Sequence, residues 1–436
     1  MTPFAKPLLT RLAVDARVLS VEHAGYKAAR LAAAQRAGLP VLPGWVVPVA
    51  EGSRAISAGA DAVRANGLAA GRMTVLGRSI DSALSEELRC AVDRLEGKVI
   101  VRSSSPLEGD GRWAGAFSSV TGVGRDDVVT AVRSCWASAF AVDPLERLEE
   151  CGLVPGDLEL GVLIQPEISP AAGGVARVTG EGAQVAVEGV RGHPAALLSG
   201  WAEGASAEVA LSPGSGRPTA ARAVPARHGQ ARLTQLLGDE LVEAVACLAG
   251  WVWLVLGDDV IEWAADGAGV WLFQSLRSAS LSGEPLALEG MPPLAEDHGL
   301  APVAVRQGLP GLAADIMRRG AHVPGRPGAP GMAVGRLMAC GPHERPPGGC
   351  EDAILLVGRP VPALAPLLFG ARGVIARSGA AGAHLAGVAR SLGVPMVIGC
   401  DLEPVTGPPP VPGDRWLTAI NGSTGDVALL PAGQGG

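Results

Sequence analysis

The sequence predicts an α/β fold built in more than one unit. Three observations carry this. Helical and strand-like patterns alternate through residues 1–280. A tract dense in Pro and Gly, residues 324–331, interrupts that alternation. Beyond it short apolar strands resume, and one of them runs through a glycine-rich turn into a helix. A chain of 436 residues is long for one domain. The expected division is residues 1–280, a Pro/Gly-rich linker or hinge at 281–330, and a unit of about 100 residues at 331–436.

The elements follow in order. Gly25 to Gly38 reads as a helix, with Ala28, Leu31, Ala32 and Gln35 on one side. The segment Val41 to Val47 is strand-like. Val99-Ile100-Val101 is a short strand entering Arg102-Ser103-Ser104-Ser105, and Gly161 to Gln165 is another. Ala244 to Leu256 is an apolar helix, too short to span a bilayer, which needs about 20 residues. Val260 to Trp263 and Val270 to Gln274 form a hairpin around Asp266-Gly267-Ala268-Gly269. Gly311 to Arg319 is a modest helix within the expected linker. Strands follow at Ala333 to Ala339, Ala353 to Val357, Gly373 to Ala376 and Pro395 to Ile398.

Composition narrows the class. The chain is 48% hydrophobic, with 36 basic and 43 acidic residues and a net charge of −7, which supports ample core and argues against a general nucleic-acid binder. Five Phe and one Tyr leave few stacking platforms for bases, although there are nine Trp. The seven cysteines are scattered without C-x-x-C spacing, which points to a reducing compartment and not to a disulfide framework or zinc site. The first residues do not resemble a signal peptide. The cytoplasm is the expected location, and neither membrane nor nucleic acid is an expected partner.

His384 carries the most chemical information. It follows Ser378-Gly379-Ala380-Ala381-Gly382-Ala383, and Leu385, Val388, Ala389 and Leu392 then recur at helical spacing until Gly393-Val394-Pro395. Backbone N–H groups at a helix start lack internal partners and favour anions. An imidazole there can act as a nucleophile whose transferred phosphoryl group lands among donors. The other six histidines have no such setting.

Several segments, in order, resemble the ATP-dependent dikinases, which include phosphoenolpyruvate synthase, pyruvate phosphate dikinase and rifampin phosphotransferase. Gly25-Tyr26-Lys27-Ala28-Ala29-Arg30-Leu31 with Ala37 to Gly44 is similar to the family's G-G-K-G-A-N-L…A-G-L-P-V-P-P-G opening. Val101-Arg102-Ser103-Ser104-Ser105 with Glu108 resembles V-R-S-S-A…E, and Trp113-Ala114-Gly115 resembles the F-A-G loop over the phosphates. Ile164-Gln165 with Gly173-Gly174-Val175 resembles V-Q-x-M…S-G-V. Ile261-Glu262-Trp263-Ala264 with Leu272-Phe273-Gln274 is similar to D-I-E-W-A…L-x-L-Q. Gly328 to Gly335 and Ser378 to Val397 resemble the entry and signature of a phosphohistidine domain. Taken singly, each has an ordinary reading: a solvated lysine, a polar loop, an edge glutamine, a surface hairpin.

The resemblance implies a two-lobed ATP-grasp domain followed by a small swivelling β/β/α phosphohistidine domain. It implies ATP and magnesium (Mg2+) as cofactors. Lys27 and Arg102 would contact ATP phosphates, with Glu108, Gly115 and Gln165 also lining the nucleotide. Glu262 and Gln274 would hold the metal with oxygen ligands. His384 would take the β-phosphoryl of ATP, leaving AMP and phosphate, and pass it to a small hydroxyl- or carboxyl-bearing acceptor in a specialised biosynthetic or modification pathway. The larger relatives' barrel and antibiotic-binding domain are not expected in a chain of this length. The acceptor is therefore a small molecule bound on these two domains, or it arrives on another protein.

The sequence also departs from the family pattern. Val260 stands where the family has an Asp, with Asp258 and Asp259 adjacent. Gly192-His193-Pro194-Ala195 lacks the family's Glu, and Arg277 falls one place late. Gly382 and Ala383 replace small hydroxyl residues. Two other readings stay open: a nucleotide-binding regulator or partner subunit without turnover, and an ADP-forming kinase or ATP-grasp ligase that does not use His384. The oligomeric state is not encoded legibly.

Overall fold

A computed structural model describes residues 8–12, 19–179, 182–212, 219–224, 233–278, 310–342, 349–351, 353–407 and 416–431. Helix and strand mix throughout, as an α/β class requires. Three sheets organise these residues.

The first sheet is antiparallel, in the order Thr10–Arg11, Trp45–Val47, Gly161–Pro166, Val99–Ser104, Ser119–Val123. Strand residues Val99, Val101, Val162 and Ile164 pack on helices Val49–Asn66, Ser82–Arg94 and Val128–Ala137 through Ile56, Leu84, Leu88 and Val132. Burying one such aliphatic side chain stabilises the fold by about 1.5–3 kcal/mol. The expected strand over 41–47 is regular only at Trp45–Val47. Pro43 and Gly44 break it, and Val41 instead makes an isolated bridge to Leu272.

The second sheet is antiparallel too: Gly269–Leu276, Val260–Asp266, Ala172–Thr179, Gln184–Arg191, Ala205–Ser212, Thr219–Val224. One face, including Ala176, Val178, Val187, Val209, Ile261 and Trp263, is covered by helices Tyr26–Arg36 and Asp239–Leu256. The latter starts with Asp239 and Glu240, which suit the positive helix end, and stops at Gly257 in the left-handed region. It is the apolar helix read from Ala244 to Leu256, extended by its acidic first turn. Among the described residues no helix is long and apolar enough to cross a membrane.

The third sheet has eight strands: Ala321–Pro324, Asp426–Pro431, Trp416–Asn421, Met332–Ala339, Ala353–Val357, Gly373–Ala376, Met396–Ile398, Arg326–Ala329. The run from Met332–Ala339 to Met396–Ile398 is parallel. Here one expectation is corrected. The tract read as a hinge supplies the two outermost strands, pairing Ala321–Pro324 with Asp426–Pro431 and Arg326–Ala329 with Met396–Ile398. Proline removes a ladder donor but is tolerated on a sheet edge, and that is where these prolines lie. Helix Pro310–Arg319 also belongs here, packing Ala313 and Ile316 against Val334, Ala419 and Ala428. The described part of the expected 281–330 linker is thus part of this unit. Residues 281–309 lie outside the described residues.

Candidate active site

The first two sheets meet around a cavity of about 360 Å³ lined by Lys27, Arg102, Glu108, Gly115, Gln165, Glu262, Gln274 and His384. The structure therefore brings together all eight residues singled out from the sequence.

Helix Tyr26–Arg36 begins at Gly25, whose φ is 76°. A Cβ there would lie 2.0 Å from the Ser104 carbonyl oxygen, so only glycine allows this approach. The serine run fixes the helix. Ser104 Oγ accepts from the Ala28 N–H at 3.0 Å. Ser105 and Glu108 form a reciprocal capping box on the 3-10 turn Pro106–Asp110. Lys27 Nζ donates to the Ser103 carbonyl at 2.8 Å and to Glu108 Oε1 at 3.1 Å. Glu108 thus orders the lysine and its loop.

Arg102 is buried, donates to the Phe273 carbonyl at 2.7 Å and reaches Gln165 Oε1 at 3.4 Å. Gln165 in turn donates to the Leu42 carbonyl at 3.0 Å. Burial lowers the Arg102 pKa, while Glu262 and Glu108 oppose that shift. Glu262 and Gln274 are direct partners across the hairpin, beside a register shift between Glu262 and Trp263. Burial pushes the Glu262 carboxyl up, but His384, Arg102 and Lys27 outweigh it and hold it below its ordinary value.

His384 opens helix His384–Leu392, which ends at Gly393 with φ 68°. Its ring is not entombed: the side chain keeps 25% exposure, and Nε2 lies 3.5 Å from Glu262 Oε1. The other side of the ring packs on Gly115, where φ is 68° and a Cβ would sit 2.5 Å from Nδ1.

Cross-strand pairing explains how the third sheet's loop finds this place. Glu262 pairs with Val175, Val175 with Glu188, and Glu188 with Ser206, so these side chains form one row on a single face of the second sheet. The segment 382–384 lies along that row. Gly382 N donates to Glu188 Oε2 at 2.7 Å, and His384 meets Glu262. A Cβ at Gly382 would come within 3.0 Å of Glu188 Oε2 and 3.1 Å of Val175 Cβ, so the glycine departure fits this docking. Arg390 holds the same loop by donating to the Gly328 and Ala381 carbonyls at 2.6 and 3.0 Å.

Three features were missed in the sequence. His193 lines the same cavity, against the expectation that no other histidine has such a setting. Its Nδ1 accepts from the Ala195 N–H at 3.1 Å, and burial followed by Arg102 lowers its pKa. Arg147, only 1% exposed, donates to the Arg112 and Ala114 carbonyls at 2.7 and 3.1 Å and pairs with both oxygens of Asp143. It thereby clamps the loop that carries Gly115. Asp258 and Asp259 do not substitute for the aspartate replaced by Val260. Asp258 is bound to Arg30 and Ser275, and Asp259 to Ser278. No signal in one sequence distinguishes these structural carboxylates from ligands.

The donor set fits a nucleotide and a hard cation. Lys27 and Arg102 offer buried positive charge, and the adjacent oxygens of Glu262 and Gln274 suit magnesium, which takes one or two protein oxygens beside phosphate. Among the described residues no group of three or more His, Cys, Asp or Glu could hold a metal alone.

Two lobes close charged groups around one cavity, and a separate sheet delivers a histidine into it, an arrangement suited to a nucleotide's phosphates. The chain belongs to the pyruvate phosphate dikinase family. The profile of that family's AMP/ATP-binding domain matches residues 21–284, and that of the PEP-utilising enzyme mobile domain matches residues 349–409. The family uses ATP and magnesium. A probable phosphoenolpyruvate synthase of Archaeoglobus fulgidus is 24% identical over 336 residues, covering 71% of this chain and 41% of the relative. The prodigiosin synthesizing transferase PigC of Serratia marcescens is 27% identical over 308 residues, covering 64% and 34%. The chain thus spans less than half the length of either relative. The solved structure of Thermococcus kodakaraensis aconitase X is 18% identical, covers 26% of this chain and 99% of its own, and has a TM-score of 0.20, which supports no argument.

Proposed function

We propose that this chain is an AMP-forming phosphotransferase that works through a phosphohistidine. The observation that carries the reading is the position of His384, with Nε2 facing Glu262 inside the cavity that holds Lys27 and Arg102. In the proposed step Nε2 forms a bond to the β-phosphorus of ATP. The bond from that phosphorus to the bridging α,β-oxygen breaks and AMP leaves; water then attacks the terminal phosphorus, its bond to the β,γ-bridging oxygen breaks, and phosphate departs, which leaves one phosphoryl group on the ring. Lys27 and Arg102 orient the phosphate oxygens and offset their charge, and Gly115 closes the loop over the ring. Magnesium at Glu262 and Gln274 would add charge neutralisation. Catalysis of this kind is mostly positioning and electrostatics.

The phosphoimidazole then hands its group to a hydroxyl- or carboxyl-bearing acceptor, either a small molecule or one presented by a separate protein. The likeness to a transferase named for prodigiosin synthesis supports an acceptor in a specialised biosynthetic pathway. The test is incubation with magnesium and ATP radiolabelled at the β-phosphate. Acid-labile label on the protein, with AMP released and both lost in His384→Ala, supports the proposal. ADP without label favours an ordinary kinase or ligase.

One observation favours a second reading, nucleotide binding without turnover. Asp258 and Asp259 are committed to structural partners, which leaves the cation only Glu262 and Gln274. Tight ATP binding with no product of either kind would establish that alternative.

A further inference from the structure

A second cavity, of about 200 Å³, lies between the second sheet and the histidine loop. Arg177, Glu188, Ser206, Glu208, Pro327 and Gly382 line it. Arg177 sits in the row next to Glu262's, since Val260 pairs with Arg177, Arg177 with Ala186, and Ala186 with Glu208. Its Nε is buried and has no hydrogen-bond partner among the described residues. A buried donor left unpaired costs about 1–3 kcal/mol, so an acceptor is expected there.

Among the described residues Glu188 and Asp259 offset part of the Arg177 charge, but their oxygens are partly committed elsewhere. Glu188 spends Oε2 on the Gly382 N–H, and both oxygens of Asp259 take Ser278. Glu208 is exposed. A second guanidinium, Arg390, stands close enough to repel Arg177. Burial and then Arg177 lower the Arg390 pKa, although Glu188 and Asp259 oppose this. Arg177 is half-buried at the cavity wall with a second cation near it, and an anion on its guanidinium would offset that charge.

We propose that this cavity is an oxyanion site, which holds a phosphate or carboxylate group on Arg177 beside Gly382. The bound group bridges the nucleotide-binding sheet and the loop two residues before His384, and so favours the docked arrangement. The site is separate from the nucleotide cavity and does not depend on whether His384 is phosphorylated.

The test is calorimetric titration of the full chain with orthophosphate and, in parallel, with acetate. Phosphate can also enter the nucleotide cavity, so wild type is first saturated with a non-hydrolysable ATP analogue. The expected result is one further binding event at concentrations up to about 10 mM. It persists in Arg102→Met and weakens at least about tenfold in Arg177→Met and Arg177→Gln. The stronger of the two titrants distinguishes a phosphate site from a carboxylate site. No binding to the nucleotide-saturated wild type overturns the proposal and leaves water as the acceptor for Nε. So does binding that vanishes in Arg102→Met, or binding unchanged in folded Arg177 variants. If those variants fail to fold, the wild-type titration still decides.

Discussion

At the scale of single residues, the site depends on the two sides of one imidazole. Gly115 has no side chain because the ring occupies that space, and its positive φ disfavours any replacement. Gly115→Ala should shift the ring by an ångström or so and slow phosphohistidine formation about 100-fold. ATP affinity measured by calorimetry should change far less. On the other side, Glu262 is held below its ordinary 4.5 by His384, Arg102 and Lys27, against the effect of burial. A depressed carboxyl contributes stability that is present above its unfolded value and is lost as pH falls through the folded value. Urea midpoints should therefore drop on acidification below about pH 4.5 in wild type, and the acid limb should be shallower in Glu262→Gln. An identical acid limb in the variant would refute the assignment.

At the scale of elements, the cavity is held by pairs far apart in sequence. Arg30, on the helix that carries Lys27, is bound to Asp258 at 2.7 and 2.9 Å, and both side chains are buried. Arg30→Met leaves a buried carboxylate unpaired and should cost about 3–5 kcal/mol in chemical denaturation. Arg147 acts on the Gly115 loop through two carbonyls and is oriented by Asp143. Arg147→Met should free that loop and lower the rate of His384 phosphorylation more than it changes ATP affinity; equal loss of both would mark a purely structural role. These pairs explain what the sequence hides. Lys27, Arg102, Glu262, Gln274 and His384 each sit in a short motif whose local pattern is legible. Arg147, Asp143 and Arg30 sit on helices where a charged residue reads as solvated, and only tertiary packing buries the two arginines and leaves Asp143 half-buried beside Arg147. His193 was passed over for a related reason, since its loop has no periodicity to mark which way it faces.

At the scale of the whole molecule, the third sheet is docked with its histidine in the nucleotide cavity. The helix after His384 and the strand before it were legible because apolar spacing and Gly393 fix them locally. The edge strands at 321–329 were not, since Pro and Gly signal a break whether a segment is a linker or an edge strand. Among the described residues, polar contacts in this docking include Gly382 to Glu188, His384 to Glu262 at 3.5 Å, Arg359 to the Trp201 carbonyl at 2.6 Å, and the Arg359 guanidinium over the Trp201 ring at 5.7 Å. Interfaces of this kind permit relative motion, as a relay to a distant acceptor requires. Glu188→Ala should loosen docking and slow labelling of His384, with ATP affinity preserved in the same titration.

The central claim is that His384 receives phosphorus directly from ATP. It is tested most directly by a single turnover with enzyme in excess of ATP, quenched in base, with the nucleotide products and the intact mass of the protein read from the same sample. The account predicts AMP together with one added phosphoryl group that localises to His384, and neither in His384→Ala. AMP or ADP formed at an undiminished rate by His384→Ala would contradict it.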